Sequence, residues 1–485
     1  MKKVIPMAVP TAIENAALAK LTYGGSPKSR LEFRKLGLAK WLDDQLDPKK
    51  AEDPWVTATL KNFKALNLDQ VTLQSTFPYS VRSGLVADEL AMTTLFRRLY
   101  STRQLYENLV EFFQDYVPVP LFSDSIKRMS YDKTAIRAHV LGTYPELLYA
   151  TAMHPAMLNF LSGYANTKEH PNENYGRELL ELFTVTTATP YTQEDVVNAA
   201  RVFSGISWRD DQFITTAWTG NHWSGTVKVL GWSDANPGNS PEAIFATARS
   251  LVNYLALLPE TAKAFSTRMA RRFVADTPSG ALVAAMSKTY LATSGSIPAV
   301  VKTMANHKDF VASIGKKLKR PTEHLISTMR ALDVKLDGSI NYGDATRDDY
   351  FHDSNLSWFY WYAIQQGHSP FNWPTPDGFP DTEAAWTTMS AQVLRWKNGA
   401  EIAGYGQLFQ VPDYAVLFKG VKNDWNSIVD VASMLLMGRK LPAAQKAKII
   451  AAAQVSDAAY ATNKLLARAH AVTVLIVSTE DWNRR

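Results

Sequence analysis

From Thr11 to about Phe203 apolar residues recur at helical spacing almost without interruption, and this run limits the fold more than any other feature. A chain patterned this way must bury apolar helix stripes against other helices. Thr11–Tyr23 is Ala/Leu-rich, follows Pro10 and stops at Gly24-Gly25. Ser29–Gln45 keeps the same period and closes toward Pro48. Ala87–Gln114 reads as one long amphipathic stretch, with Leu90, Leu95, Leu99, Leu105 and Leu109 in phase. Asp124–Ala152 predicts two further helices, broken near Gly142 and Pro145.

The texture changes after Gly205. Phe213–Trp218 and Gly225–Trp232 are rich in Thr, Val, Ile and Trp, with Gly220-Asn221 between them, which predicts a β-hairpin inserted at residues 206–232. Helical patterns resume at Pro241, and Pro259, Pro278 and Pro321 stand near helix starts. His368–Asp381 carries four prolines and reads as an extended surface segment. Trp358–Tyr362 reads as a helical core segment. The expected fold is mainly α: one large, bundle-like multi-helix domain over residues 11–485, the small inserted hairpin, and residues 1–10 as an N-terminal extension.

Composition narrows the chemistry. Cysteine is absent, which excludes disulfides, thiolate catalysis and iron–sulfur clusters. No Gly-rich phosphate loop is present, so neither a cysteine-based nor a nucleotide cofactor is expected. The net charge of +6 is spread along the chain. Its densest basic run, Lys316–Arg320, is followed by Pro321 and reads as a solvated turn entering a helix rather than a phosphate-binding patch. With no zinc-finger spacing and no basic stripe among aromatics, nucleic-acid binding is not expected. The longest aliphatic run, Ala471–Ser478, is far below the roughly 18–20 residues that span a bilayer. The N-terminal apolar stretch Val4–Ile13 is interrupted by two prolines and ended by Glu14, which fails as a signal peptide. As written the chain reads as cytoplasmic, and as exported only if a leader has been removed. Nothing in it sets an oligomeric state.

The strongest local motif is Asn172–Phe183, NENYGRELLELF. At about 100° per residue, Tyr175, Leu179, Leu182 and Phe183 share a core face, while Asn174, Glu178 and Glu181 form a stripe beside it. Asn174–Glu178 and Arg177–Glu181 are spaced i,i+4, and Glu178–Glu181 i,i+3, so these side chains are neighbours. Two carboxylates on adjacent turns beside a buried face suit an acid and a base of split pKa; they also suit cation binding or the holding of a neighbouring Arg. The next helix, capped by Thr192 with Asp195 three residues on, carries Asn198 and Arg201 on one face. Laid antiparallel by the loop Thr184–Tyr191, it would bring Arg201 to Glu178 or Glu181, in either a catalytic or a structural ion pair.

Asn172–Phe183, with Tyr191-Thr192, Asp195-Val196, Ala200-Arg201 and Gly205, closely resembles the signature of the bacterial domain of unknown function family 1800. The resemblance runs through Leu21-Thr22-Tyr23-Gly24, Leu99-Tyr100-Ser101, His154-Pro155-Ala156-Met157-Leu158, Arg272-Phe273-Val274 and Pro376-Asp377-Gly378, covering nearly the whole chain. It implies a bacterial, often exported protein and carries no settled activity. The chain departs from the family pattern at three places. Where members carry a Trp and then an Asn-His pair, Phe112–Val119 has Phe113, Asp115 and Tyr116. Leu258 replaces a family His. In a segment that usually reads His-Asp-x-Gly-x-Lys, His222 and Gly225 remain, Trp223 replaces the Asp and Lys228 falls one residue late. If those residues build a family centre, part of it is missing here.

The nine His residues show no metal-binding spacing, and no metal site is expected. Asp348, Asp349, His352 and Asp353 would suit a hard cation or general base, but read as a solvated acidic turn. Trp208, Trp218, Trp223 and Trp232 gather around the hairpin with His222, Arg209, Asp210 and Asp211, either as a small aromatic core or as a face for a flat polar ligand. The sequence therefore favours a hydrolase-like enzyme for a polar, carbohydrate-like small molecule. Glu178 and Glu181 would be acid and base, Arg177 and Arg201 would tune them, and Asn174, Trp208, Trp218, His222 and Trp223 would bind ligand. The competing reading is a non-catalytic binding or assembly protein in which the Glu/Arg network only joins helices.

Overall fold

The computed structural model describes residues 9–76, 79–209, 214–336, 354–405, 412–456 and 464–485. Helices dominate, and among the described residues two separate antiparallel strand pairs make up the sheet structure. The helices start where the capping chemistry puts them. Thr11 caps Ala12–Lys20, Ser26 and Ser29 form a capping box on Pro27–Gln45, and Thr192 with Asp195 does the same for Gln193–Phe203. Proline opens Pro241–Ala256, Pro259–Phe273 and Pro321–Ala331, where its missing N–H has no helical partner to lose. Among the described residues no helix is long and apolar enough to cross a membrane.

The stretch expected to be one long helix is two, Tyr79–Tyr100 and Gln104–Tyr116. The break is stabilised from within. Gln104 Nε2 donates to the carbonyls of Arg98 and Ser101, at 2.9 and 2.8 Å, filling acceptors that a continuing helix would have used. The chain turns there, and Arg98 and Glu111, far apart on a straight helix, meet at 2.9 Å.

The inserted β-structure also pairs differently from the expected hairpin. Strand β1 (Ile206–Arg209) pairs with β2 (Ile214–Ala217), and β3 (Val227–Val229) with β4 (Trp232–Asp234). The Gly220-Asn221 turn lies between the two pairs instead of closing one, as part of a short 3₁₀ turn, Thr219–Asn221. The tight turn is at Leu230-Gly231, both with positive φ. Of Trp358–Tyr362, on the helix Asn355–Gln365, Phe359 and Tyr362 are buried while Trp361 is exposed.

Two large apolar clusters form most of the interior, with two smaller ones beside them among the described residues. One joins the first helices to the body that runs to Phe310, through residues such as Leu109, Phe112, Tyr144, Leu179 and Phe265. The other joins Phe96 and Leu99 to Leu325, Met329, Phe359, Ile428 and Val472. Where their helices meet lies a buried ion cluster. Glu111 takes Arg98 at 2.9 Å, Arg272 at 2.7 Å, Arg320 at 2.9 Å and the Tyr23 hydroxyl at 2.8 Å. Glu323 contacts Arg272, Arg320 and Arg485, and Arg320 reaches Asp115 at 2.6 Å. The run Lys316–Arg320 feeds this cluster and is not the solvated turn its composition implies. Lys317, Lys319 and Arg320 are all buried, Lys317 paired with Asp276 at 2.7 Å and Lys319 stacked over Trp482.

Burial opposes the charge on Glu111 and Glu323, yet the surrounding arginines hold both carboxyls well below the usual range. A depressed folded-state pKa gives stability that is present above the unfolded value, about 4.3, and lost as pH falls below it. Urea unfolding should therefore show stability falling progressively once pH drops below about 5, with the loss continuing toward the depressed folded-state values. Glu111→Gln, which leaves three guanidinium groups without their shared anion, should cost about 3–5 kcal/mol at neutral pH in the same measurement.

Candidate active site

The Asn172–Phe183 segment begins as an α-helix, Glu173–Glu178, with Asn172 accepting from the Asn174 amide at 3.0 Å. Tyr175, Leu179 and Phe183 are buried, as the helical wheel requires. The last turn, Leu179–Phe183, widens to a π turn, a departure that costs backbone geometry and re-aims the side chains it carries. Gly176 allows the helix Gln193–Phe203 to cross closely, since a Cβ there would stand 3.0 Å from Val196 O and Ala200 N.

That crossing leaves Glu178 and Glu181 partly exposed on the flank of the helix. Glu181 accepts a hydrogen bond from the Tyr191 hydroxyl at 3.2 Å. Among the described residues the Glu178 carboxylate has no hydrogen-bond or ion-pair partner. Burial raises its pKa, the charge of Glu181 adds to the rise, Arg177 opposes it and Asp377 adds again. Arg177 pairs with Glu173 at 2.9 Å and Gln193 at 3.1 Å, so it tunes Glu178 from a distance and does not bridge to Glu181. Asn174 is exposed.

Arg201 does not reach either carboxylate. Its Nη1 donates to Asn198 Oδ1 at 2.9 Å and its guanidinium lies 4.5 Å over the Trp223 ring. The helix crossing turns the Asn198–Arg201 face toward the β-structure, where Asn198 also donates to Lys228 O.

Beside Glu181 opens a cleft of about 650 Å³. Its near wall is the π turn and the loop to Thr189, its base the Pro259–Phe273 helix with Lys263, Arg268 and Arg271, and its far wall Trp373–Thr382. The far wall is the proline-rich stretch that reads as plain surface in the sequence. Arg268 Nη2 holds it, donating to Asp377 O at 2.7 Å and to Asp115 O at 2.9 Å. Gly378, with φ of +74°, packs against Asp115 so closely that a Cβ would fall 1.8 Å from its carbonyl oxygen. The Asp377 carboxylate accepts from Trp373 Nε1 at 2.9 Å and from the Thr375 hydroxyl. Partial burial raises its pKa, but these hydrogen bonds and Arg268 outweigh that and leave it below the ordinary Asp value. Asp377 was absent from the acid/base candidates; Pro376-Asp377-Gly378 stood out only within the family resemblance.

The hairpin aromatics do not cover this cleft. Trp208 packs edge-on to Tyr164, Trp218 is half exposed, and Trp223 sits under Arg201. His222 is buried, with Nδ1 2.7 Å from Ser204 O and Nε2 2.9 Å from Asn236 Oδ1. None of the four lines the cleft. Each strand pair turns its aromatics onto its own helix neighbours, as Trp232 does in bonding Ser250 at 3.1 Å. Asp210, Asp211 and the cluster Asp348, Asp349, His352 and Asp353 lie outside the described residues.

Residues 16–483 match the family described as "Protein of unknown function (DUF1800)". The match covers nearly the whole chain, so the protein belongs to that family. No curated protein and no solved structure matches it. Residues of two segments set apart in the sequence lie at or next to the cleft. Tyr116 lines it, Asp115 supports its far wall, and Leu258 precedes the helix that forms its base.

Gly378→Ala should force the far wall away from Asp115, because both φ and the missing Cβ are required there. The expected cost is about 1–3 kcal/mol, read as a lower Tm with faster amide exchange concentrated in residues 373–382.

Proposed function

We propose that this chain is a hydrolase-like enzyme that binds a polar, carbohydrate-like ligand in the Glu181–Asp377 cleft. The observation that carries the reading is the Glu178 carboxylate. It is half-buried and unpartnered among the described residues, on the helical turn before Glu181, which lines the cleft; a carboxylate that merely joined helices would be ion-paired. Across from it, Asp377 is held ionised by Trp373 and Thr375. Two carboxylates whose surroundings push their pKa values apart divide naturally into an acid and its partner.

In this scheme Glu178 keeps its proton and donates it to a leaving oxygen. Asp377 stays charged, and takes a proton from the attacking water or stabilises positive charge developing in the ligand. Glu181, its orientation fixed by Tyr191, accepts from ligand hydroxyls. Trp373, partly exposed on the far wall, offers the apolar face against which a sugar ring packs. Arg268 and Arg271 balance the negative edge of the cleft.

The competing reading, a non-catalytic binding protein, makes a different prediction for the same variants. A panel of chromogenic glycosides should show turnover by the native chain. Glu178→Gln and Asp377→Asn should each lower kcat by about 10²–10⁴-fold while leaving Tm nearly unchanged. Loss of Tm with either variant, or binding of saccharides without turnover by the native chain, would overturn the enzyme assignment. Turnover needs Asp377 ionised and Glu178 protonated. The rate should therefore rise with pH through the lowered Asp377 value and fall again through the raised Glu178 value, and Glu178→Gln should abolish the alkaline limb.

A further inference from the structure

A second cleft, of about 630 Å³, lies between the segment Leu66–Val71, the helix Tyr79–Tyr100 and the π turn Asp132–Arg137, and shares no lining residue with the candidate active site. Its size is that of a small-molecule site. One side is apolar, formed by Leu60, Leu66, Leu68, Leu90 and Met129.

The other side is charged, and its charges are unequally satisfied. The three carboxylates are all engaged. Glu52 accepts from Ser101 at 2.6 Å, Asp69 from the amide and hydroxyl of Thr72 at 2.9 and 2.6 Å, and Asp132 from Arg137 Nε at 2.7 Å and from Gln114. Arg137 is in turn committed to Glu107 at 2.8 Å. Arg97 is different. It comes from the last turn of the Tyr79–Tyr100 helix, lines the cleft and is mostly covered, yet among the described residues no carboxylate lies within ion-pair distance of it and its guanidinium makes no hydrogen bond. Among the described residues Lys61 and Lys133 at the rim are also without carboxylate partners.

A guanidinium offers five donors in a rigid fork, and removing it from water without an acceptor is unfavourable. Arg128, also buried, lies 4.0 Å from the Asp132 carboxylate and 4.0 Å over the Phe371 ring. Arg97 has no such stacking partner among the described residues. It lines the cleft with the apolar side and with Glu52 and Asp132, which act on it electrostatically without pairing to it. The π turn that forms one wall is a second irregular element kept at a cleft, like Leu179–Phe183 at the first.

We propose that this cleft binds a small amphipathic anion, with Arg97 taking the carboxylate or phosphate in a bidentate contact, Lys61 and Lys133 adding charge at the rim, and the Leu60–Leu90–Met129 side holding its apolar body. The proposal is independent of the chemistry assigned to the other cleft.

The test is isothermal titration of the native chain and of Arg97→Gln with octanoate, octyl phosphate, inorganic phosphate and octyl glucoside as probes. Binding of octanoate or octyl phosphate, at least about tenfold tighter than the neutral octyl glucoside and than inorganic phosphate, is the expected result. Arg97→Gln should weaken the anionic probes by about tenfold or more and leave octyl glucoside unchanged. Which of the two anions binds tighter distinguishes carboxylate from phosphate recognition. Equal binding of the neutral and anionic probes, no binding of either anion, or an unaltered affinity in a folded Arg97→Gln would overturn it. If that variant does not fold, Arg97→Lys keeps the charge but removes the fork, and must still weaken both anions.

Discussion

The structure depends on the contact of one carboxylate, Glu111, with three arginines. Arg98 comes from the helix before it, Arg272 from the middle of the chain and Arg320 from the entry to a later helix. Removing four such groups from water is costly, and the attraction among them compensates only when nearly every donor and acceptor finds its partner. Here Gln114, Asn108, Tyr23 and Asp115 supply the additional contacts. The network therefore acts less as a source of net stability than as a constraint on geometry. The observed placement of these helices pairs these charges, and the two large apolar clusters lie to either side of it.

This accounts for which parts of the fold could be read from the sequence. Helix positions and caps are local matters. Thr11, Ser26, Thr192 and the helix-opening prolines act within one turn of where they stand, and they start helices where their chemistry predicts. The break at residues 101–103 is also local, yet its cause is a Gln side chain filling two carbonyls, which apolar periodicity does not register. The basic run Lys316–Arg320 fails for the opposite reason. Its partners are remote: Arg320 meets Asp115 across 205 residues of sequence and Lys317 meets Asp276 across 41. Without those partners in view, five residues that include four cations look like solvated surface.

The candidate site divides along the same line. Glu178 and Glu181 are legible because i,i+3 spacing places them on one flank of a helix whatever the rest of the chain does. Arg201 was assigned to them by assuming that an antiparallel neighbour presents its polar face inward, whereas the close crossing at Gly176 brings Ala199 and Ala200 there. The far wall could not be read at all. A segment with four prolines has no period from which to infer a buried side, and what turns it inward is one arginine bonding two carbonyls together with one glycine that admits Asp115.

The end of the Gln104–Tyr116 helix joins the ion cluster to the cleft. Asp115 gives its carboxylate to Arg320 and its carbonyl to Arg268, while Tyr116, the next residue, faces the cleft beneath the Arg268 guanidinium at 4.2 Å. Asp381 completes the link from the cleft side, 3.7 Å from Arg320 and 3.9 Å from Arg272. The far wall is thus fastened to groups that cannot shift without exposing a buried charge, and a rigid wall is what an oriented pair of carboxylates requires. Four guanidinium side chains, Arg98, Arg272, Arg320 and Arg485, face Glu111, Glu323, Asp115 and Asp381, so a neutral amide at 115 would leave one cation uncompensated. Among the described residues lining the cleft, Glu181, Glu260, Asp377 and Asp381 supply the carboxylates. The unpartnered Glu178 and the hydrogen-bonded Asp377 are the two whose surroundings already set them apart.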